Sequence, residues 1–323
     1  MLSFLIRRIL LAALLILALL TFVFFVIQLA PGDPLQGYAD PEMDPQLVEQ
    51  LRMQFGLDQP VAQQYLSWMR SFLLEFDFGI SLAKRRAVRD LVAGALPNTI
   101  RLAAWALLVR VLLGVGFGIL AAVRRGRAVD VGLSVGALLV YSVPAFWLGV
   151  MLLLVFALQL KWLPPGQMVS LDHASLGFAA RVWDSARHLM LPVFVLGIGG
   201  AAATLRFMRA GMLEVLSQDY VRAARAKGLT ERTVILKHAL RNALLPVVTL
   251  VALSIPALIG GTVVIEHVFS WPGMGKLTIE AISQRDYPVV MATTFLSGVA
   301  VVISNLLADI TYSLLDPRVR LES

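Results

Sequence analysis

QDYVRAARAKGLTERTVILKHALRNALLP, Gln218 to Pro246, lies between two long apolar runs of the chain. It carries Arg222, Arg225, Lys227, Arg232, Lys237 and Arg241 against Asp219 and Glu231, with small and apolar residues at helical spacing. A plain connection would need far fewer residues. Leu213 to Lys227 reads as one helix, ended by Gly228, because glycine tolerates positive φ at little cost. Thr230-Glu231-Arg232-Thr233 starts a second helix that runs through His238 into the next apolar run at Pro246. Ala223 and Ala224 leave a smooth, small surface that a partner's groove can approach closely, ringed by Arg222, Arg225 and Lys227. The stretch is a basic helical projection between membrane-like segments, suited to binding something outside the membrane.

The rest of the chain supplies that membrane context. Hydrophobic residues make up 58% of the 323 positions and charged residues 15%, with a mean hydropathy of +0.78. Soluble domains are about half apolar and about a quarter charged. A net charge of +7 would suit nucleic-acid binding in a soluble protein. Here it reads as the Lys/Arg excess of cytoplasmic loops, and no nucleic-acid partner is expected. The absence of cysteine excludes disulfides and thiolate metal sites.

A hydrocarbon core of about 30 Å takes about 20 helical residues. Six runs reach that length, at 9–30, 99–123, 131–160, 188–209, 245–265 and 288–315, which makes this an all-α membrane protein. Pro144 and Pro192 are candidate kinks. Arg7, Arg8, the Arg124–Arg127 cluster and the basic stretch at 206–246 place both termini on the cytoplasmic side. The first run is read as a retained span, because LAPGDP at 29–34 replaces a small-x-small cleavage site. The chain then divides into an N-terminal span (1–30), an extracytoplasmic helical segment (31–98), a five-span core (99–315) with a cytoplasmic loop at 211–245, and a cytoplasmic tail (316–323). Within the outer segment, Asp44–Leu57 and Pro60–Phe76 both show helical periodicity.

Catalytic chemistry is hard to find. His173, His188, His238 and His267 are scattered, with no metal-ligand spacing. Pro272–Thr278, PGMGKLT, fails as a phosphate loop, because Ser270 holds the first glycine's place and Leu277 follows Lys276. Gly197-Ile198-Gly199-Gly200 fails as a dinucleotide fingerprint, because Ala202 stands where the third glycine belongs. These glycines, and Gly114, Gly116 and Gly118, read as sites of close helix packing. Arg110, near the middle of the second run, is a costly charge that faces either a polar pathway or a partner. Trp271-Pro272-Gly273 reads as a rigid outer turn before a short re-entrant helix at 277–282.

The stretch YVRAARAKGL…HALRNALLP resembles the cytoplasmic coupling loop of ATP-binding-cassette importer permeases, whose general pattern is Glu-Ala-Ala-x-x-x-Gly followed by Ile-x-Leu-Pro. Ala223, Ala224 and Gly228 match in spacing; Arg222 holds the Glu position, and Leu245-Pro246 lies further from the glycine than in the general pattern. Both departures are similar to the dipeptide, oligopeptide and nickel permease branch, in its "B"-type subunit. LAPGDP (29–34), SVPAFWLG (142–149), HVFSWPGMGKLTIEAISQRDYP (267–288) and DITYSLLDPR (309–318) extend the resemblance over nearly the whole chain.

The resemblance implies a type I importer permease fold in the bacterial inner membrane and a non-catalytic translocation subunit. Its implied partners are a homologous second permease, two cytoplasmic ATPases that bind ATP and Mg, and an extracytoplasmic substrate-binding protein, with lipid around the spans. No cofactor or metal is expected on this chain. Tyr220, Arg222, Ala223, Ala224, Lys227, Gly228 and Leu229 become the expected ATPase-docking set. Trp271, Pro272, Gly273 and Met274 become an outer gate or binding-protein contact, the alternative being an interfacial Trp anchor. Arg110 becomes a pathway candidate for peptide carboxylates or carbonyls. The expected cargo is di- or oligopeptides; nickel chelates, glutathione or opines are alternatives on the same scaffold. A stand-alone ion-coupled carrier would instead show inverted repeats and several intramembrane acids, and neither is present in the sequence.

Overall fold

A computed structural model of the chain describes residues 2–29, 45–54 and 58–315. The LAPGDP motif beyond Leu29 and the 316–323 tail lie outside the described residues, as do the side chains of DITYSLLDPR. Secondary structure among the described residues is helical apart from turns and the isolated bridge between Ile80 and Ala87. The helices are α1 (Leu2–Leu29), α2 (Pro45–Gln54), α3 (Val61–Arg70), α4 (Val88–Val123), α5 (Ala128–Ser142), α6 (Ala145–Leu152), α7 (Phe178–Leu216), α8 (Asp219–Ala226), α9 (Glu231–Thr233), α10 (Leu240–Leu253), α11 (Ile255–Val268), α12 (Met274–Ser283) and α13 (Tyr287–Leu315). Three are continued by wider helical turns, at Ser71–Glu75, Leu153–Gln159 and Val234–Ala239. Among the described residues, five helical stretches are long and apolar enough to cross a membrane, and α5 with the α6 segment makes a sixth if the bent pair is one span.

Two units are distinguishable, one of residues 1–98 and 272–300 and the other of 99–271 and 301–323. The first is centred on Leu20, Phe24, Phe72, Val88, Val92, Met274, Leu277, Val289 and Ala292. Aromatic rings knit it: Phe24 stacks on Trp68 at 5.5 Å, Trp68 meets Phe72 at 4.9 Å, and Phe72 meets Phe295 edge-on at 5.1 Å. The turn before α4 is tied to the start of α13 by the buried Asp286, which accepts from the Ser81 hydroxyl and from the Leu82 and Ala83 N–H groups at 3.1 and 3.2 Å. Without that carboxylate, these donors would lack their acceptor in a buried site, a costly outcome.

The second unit is built on the close approach of α4 and α7. A Cβ at Gly114 would fall 2.5 Å from Thr204 Cβ, one at Gly118 2.6 Å from Met208 Cβ, and one at Gly197 2.8 Å from Val109 Cγ1. Glycine is what lets the two backbones meet. Gly116 and Gly199, singled out with them, meet nothing within 4 Å, so close packing uses alternate members of each cluster. Pro144 breaks the third run as expected: Val143 is extended, and α5 and the α6 segment meet at 99°. Pro192 stays inside the unbroken α7. The fifth run differs from the expected continuous 245–265: α10 ends at Leu253 and α11 begins at Ile255, with Ser254 between. Pro256 opens α11 and has no N–H to donate back into α10, which explains the break. The second span also starts earlier than Thr99, since α4 runs from Val88.

Candidate functional site

The basic stretch folds largely as its sequence dictates, with one correction. Leu213 to Lys227 is two helices, because α7 ends at Leu216 and α8 restarts at Asp219 after the extended Gln218. Asp219 in the first turn and Arg225 in the last complement the helix dipole. Gly228 has φ +75° and nothing within 4 Å of its Cβ position, so it reverses the chain in the left-handed region at an open site. Thr230 then stands at the N-cap position of α9 in extended backbone, its hydroxyl meeting that of Thr233 at 2.9 Å, and the wider turn Val234–Ala239 leads into α10.

Packing sorts the expected docking residues. Val221 and Val234 are fully buried, and Ala224 sits with them at 6% exposure, against Val215 and Leu216. Ala224 therefore faces into the loop and not onto a partner. At helical spacing two neighbouring alanines cannot share one face, and the amphipathic α8 uses Val221 and Ala224 as its buried stripe. Tyr220, Arg222, Ala223, Lys227, Gly228 and Leu229 remain exposed, with Tyr220 at 43% and Leu229 at 40%. The free surface is an exposed aromatic and an exposed leucine among basic groups.

Polar contacts hold its shape. Asn242 donates to the Tyr220 hydroxyl at 2.7 Å, fixing the ring against α10. Arg225 pairs with Glu231 at 2.8 and 3.1 Å across the Gly228 reversal, and that carboxylate raises the Arg225 pKa above its ordinary value. Arg222 pairs with Asp219 on the same helix. The Lys227 N–H bonds to Ala223 O at 3.0 Å, while its ammonium has no partner among the described residues and leaves its charge at the tip. Such a surface can bind a partner through apolar contact and charge together.

The segment at 271–283 is arranged differently from expectation. Trp271 is fully buried with Leu102, Leu189 and Val193 in the second unit, so it is neither an interfacial anchor nor a contact for an outside protein. Gly273 and Met274 are buried in the first unit, and only Pro272 is exposed. A large indole satisfies more apolar area inside than at a surface, and here it closes the core below the turn. The short helix is present as α12, longer than the expected 277–282.

Arg110 is also placed otherwise. It is 7% exposed, donates from Nε to Thr204 Oγ1 at 3.1 Å and from Nη1 to the Ser254 hydroxyl, and lies over Gly200. Both of its side-chain hydrogen bonds go to hydroxyls of its own chain.

Two constellations are invisible in the sequence. Asp184 accepts from Ser170 N at 3.0 Å and Ser170 Oγ at 2.6 Å and pairs with His173 at 2.7 Å and His188 at 3.4 Å, so two of the scattered histidines converge. No metal-holding group occurs among the described residues. Asp130, buried, takes Arg209 at 2.6 and 2.8 Å and the Gly126 N–H at 2.9 Å, clamping the start of α5 to α7. Neither could be found by motif; the weak signal is a charge near the end of an apolar run.

Comparison with known proteins matches the same architecture. Residues 114–321 fit the family described as binding-protein-dependent transport system inner membrane component, and residues 1–103 fit the N-terminal part of such membrane components. The chain is 40% identical to the oligopeptide transport system permease protein AppB of Bacillus subtilis (strain 168) and 44% identical to a putative peptide permease protein of Brucella suis biovar 1 (strain 1330). It is 40% identical to the glutathione transport system permease protein GsiC of Escherichia coli (strain K12). Each alignment covers 99% of both chains. Among solved structures, an inward-facing MetNI methionine ABC transporter aligns with a TM-score of 0.55 at 17% identity, over 70% of this chain and 96% of that one.

Proposed function

The chain belongs to the family of binding-protein-dependent transport system inner membrane components, and from that premise we propose that it carries peptides and couples their passage to partner ATPases through the Gln218–Pro246 loop. It is a multi-pass inner-membrane permease subunit of an ABC importer. Peptide cargo is supported by full-length identity of 40–44% to relatives named for oligopeptides and peptides. Glutathione, itself a small peptide, is the second reading, favoured by the 40% identity to GsiC.

The observation that carries the coupling role is the loop's division into a buried hinge side, Val221, Ala224 and Val234, and an exposed side, Tyr220, Arg222, Ala223, Lys227 and Leu229. A lever must be stiff inside and adhesive outside. Docking by a cytoplasmic ATPase would meet Tyr220 and Leu229 with apolar contacts and Arg222 and Lys227 with charge. Force then passes to α7 and α10, which the loop joins, as a two-state packed element requires. Two such ATPases, holding ATP and Mg, a second permease and an extracytoplasmic binding protein complete the machine, with both termini on the cytoplasmic side.

The test is uptake of labelled di- and oligopeptides, and separately of glutathione, into vesicles carrying the complete complex. Wild type is expected to import peptides only with ATP inside and the binding protein outside. Ala223→Glu, on the exposed side, is expected to abolish uptake and release ATPase subunits from the affinity-purified complex. Undiminished uptake in that variant would remove the loop from the coupling role.

A further inference from the structure

Arg110 and Ser254 meet at the one-residue joint between α10 and α11, and their chemistry points to more than a fold contact. The guanidinium is buried in the middle of α4, yet among the described residues it pairs with no carboxylate. Its acceptors are the Thr204 and Ser254 hydroxyls, each of which donates to a carbonyl of its own helix, Gly200 at 3.0 Å and Val251 at 2.7 Å. Gly200 makes room, since a Cβ there would lie 2.6 Å from Arg110 Cδ. A desolvated charge held only by dipoles is costly, and a same-volume apolar side chain would pack a static contact at lower cost.

The fold shows what a permanent joint looks like. Asp130 and Arg209 bind α5 to α7 by a bidentate ion pair at 2.6 and 2.8 Å. At Ser254 the contact is a single hydroxyl on a backbone already broken, with Ser254 N bonded to Val251 O at 3.1 Å and Pro256 unable to donate. Thr204 stands on the glycine-packed α4–α7 pair, so one arm of Arg110 is anchored. The other arm grips Ser254, the single residue between α10 and α11. We propose that Arg110 is a positioning residue that latches the Ser254 joint in one of two α10–α11 arrangements, and that its release is part of the transport cycle. The proposal rests on the reading of this chain as a coupled permease.

The experiment uses the complete complex in lipid nanodiscs. The chain has no cysteine, so nitroxide labels at Leu245→Cys and Val264→Cys, both exposed and on opposite sides of the joint, report its geometry by electron–electron double resonance. Wild type is expected to show two distances whose ratio changes with ATP. Ser254→Ala removes the acceptor without altering charge and is expected to shift that ratio about tenfold, equivalent to about 1.4 kcal/mol. It should also raise ATP hydrolysis in the absence of binding protein, with the amount of assembled complex unchanged. Arg110→Lys, which keeps the charge but cannot reach both hydroxyls, should act alike, and the double variant should be no worse than either single one. A wild-type ratio in Ser254→Ala, or equal loss of uptake and of assembled complex, overturns the latch. Failure of the permease reading would show separately, as a wild-type complex without coupled uptake, while the distance ratio still reports the latch.

Discussion

Ala223 and Ala224 are chemically identical neighbours with opposite environments, exposed and buried respectively. A glutamate at either position therefore has different consequences. At Ala224 it forces an unpaired carboxylate between Val221 and Val234, a cost of several kcal/mol that unpacks the loop itself. At Ala223 it leaves the loop packed and blocks only what docks on it. The expected outcome is loss of uptake in both variants, with faster limited proteolysis of the 213–240 region in Ala224→Glu alone. Identical protease patterns would contradict the inward placement of Ala224. Asp286 permits a second residue-scale prediction. Asp286→Ala leaves the Ser81 hydroxyl and two N–H groups without their acceptor, at roughly 1–3 kcal/mol each. The turn at residues 79–87 should then become protease-sensitive while the amount of membrane-inserted chain is retained.

Among elements, the α4–α7 pair and the Gly228 reversal are two places where shape depends on a missing side chain. Gly114→Val would put atoms within 2.5 Å of Thr204, and overpacking of this kind costs about 1–3 kcal/mol. Gly116→Ala meets nothing within 4 Å and is the matched control. Thermal unfolding of the detergent-solubilised chain should be lowered by several degrees in the first variant and unchanged in the second. At Gly228 the requirement is φ +75°, which proline cannot adopt and asparagine tolerates. Gly228→Pro is expected to uncouple ATP hydrolysis from uptake, with Gly228→Asn close to wild type; the reverse order would mean that the reversal is not needed.

For the whole molecule, the arrangement of Lys and Arg predicts that both termini, Arg124–Arg127 and the Gln218–Pro246 loop lie on the cytoplasmic side. Single cysteines at Thr230 and Asp58 test this in a cysteine-free background. A membrane-impermeant reagent added outside should reach Asp58→Cys and miss Thr230→Cys, and the opposite labelling would invert the topology. The purified chain alone should hydrolyse no ATP, because Ser270 and Leu277 break the only resemblance to a phosphate loop.

The sequence by itself determined the helical membrane class, the position of the apolar runs, the Pro144 bend and the Gly228 reversal. These follow from local rules: run length, proline's missing N–H and glycine's freedom at positive φ act within a few residues. The family was legible too, since Ala223, Ala224 and Gly228 stand in a fixed order within one loop. Tertiary structure alone decided which way each of those residues faces. Ala224 turned inward because Val234, across the reversal, offered a surface to bury against. Trp271 was enclosed by Leu102 and Leu189, residues far away in the chain. His173 reached Asp184 from the turn before α7, where His188 already stood one helical turn away, and Arg110 reached Thr204 and Ser254 through packing between separate helices. Burial and polar pairing depend on which distant atoms share a space, and no spacing along one strand of sequence carries that information.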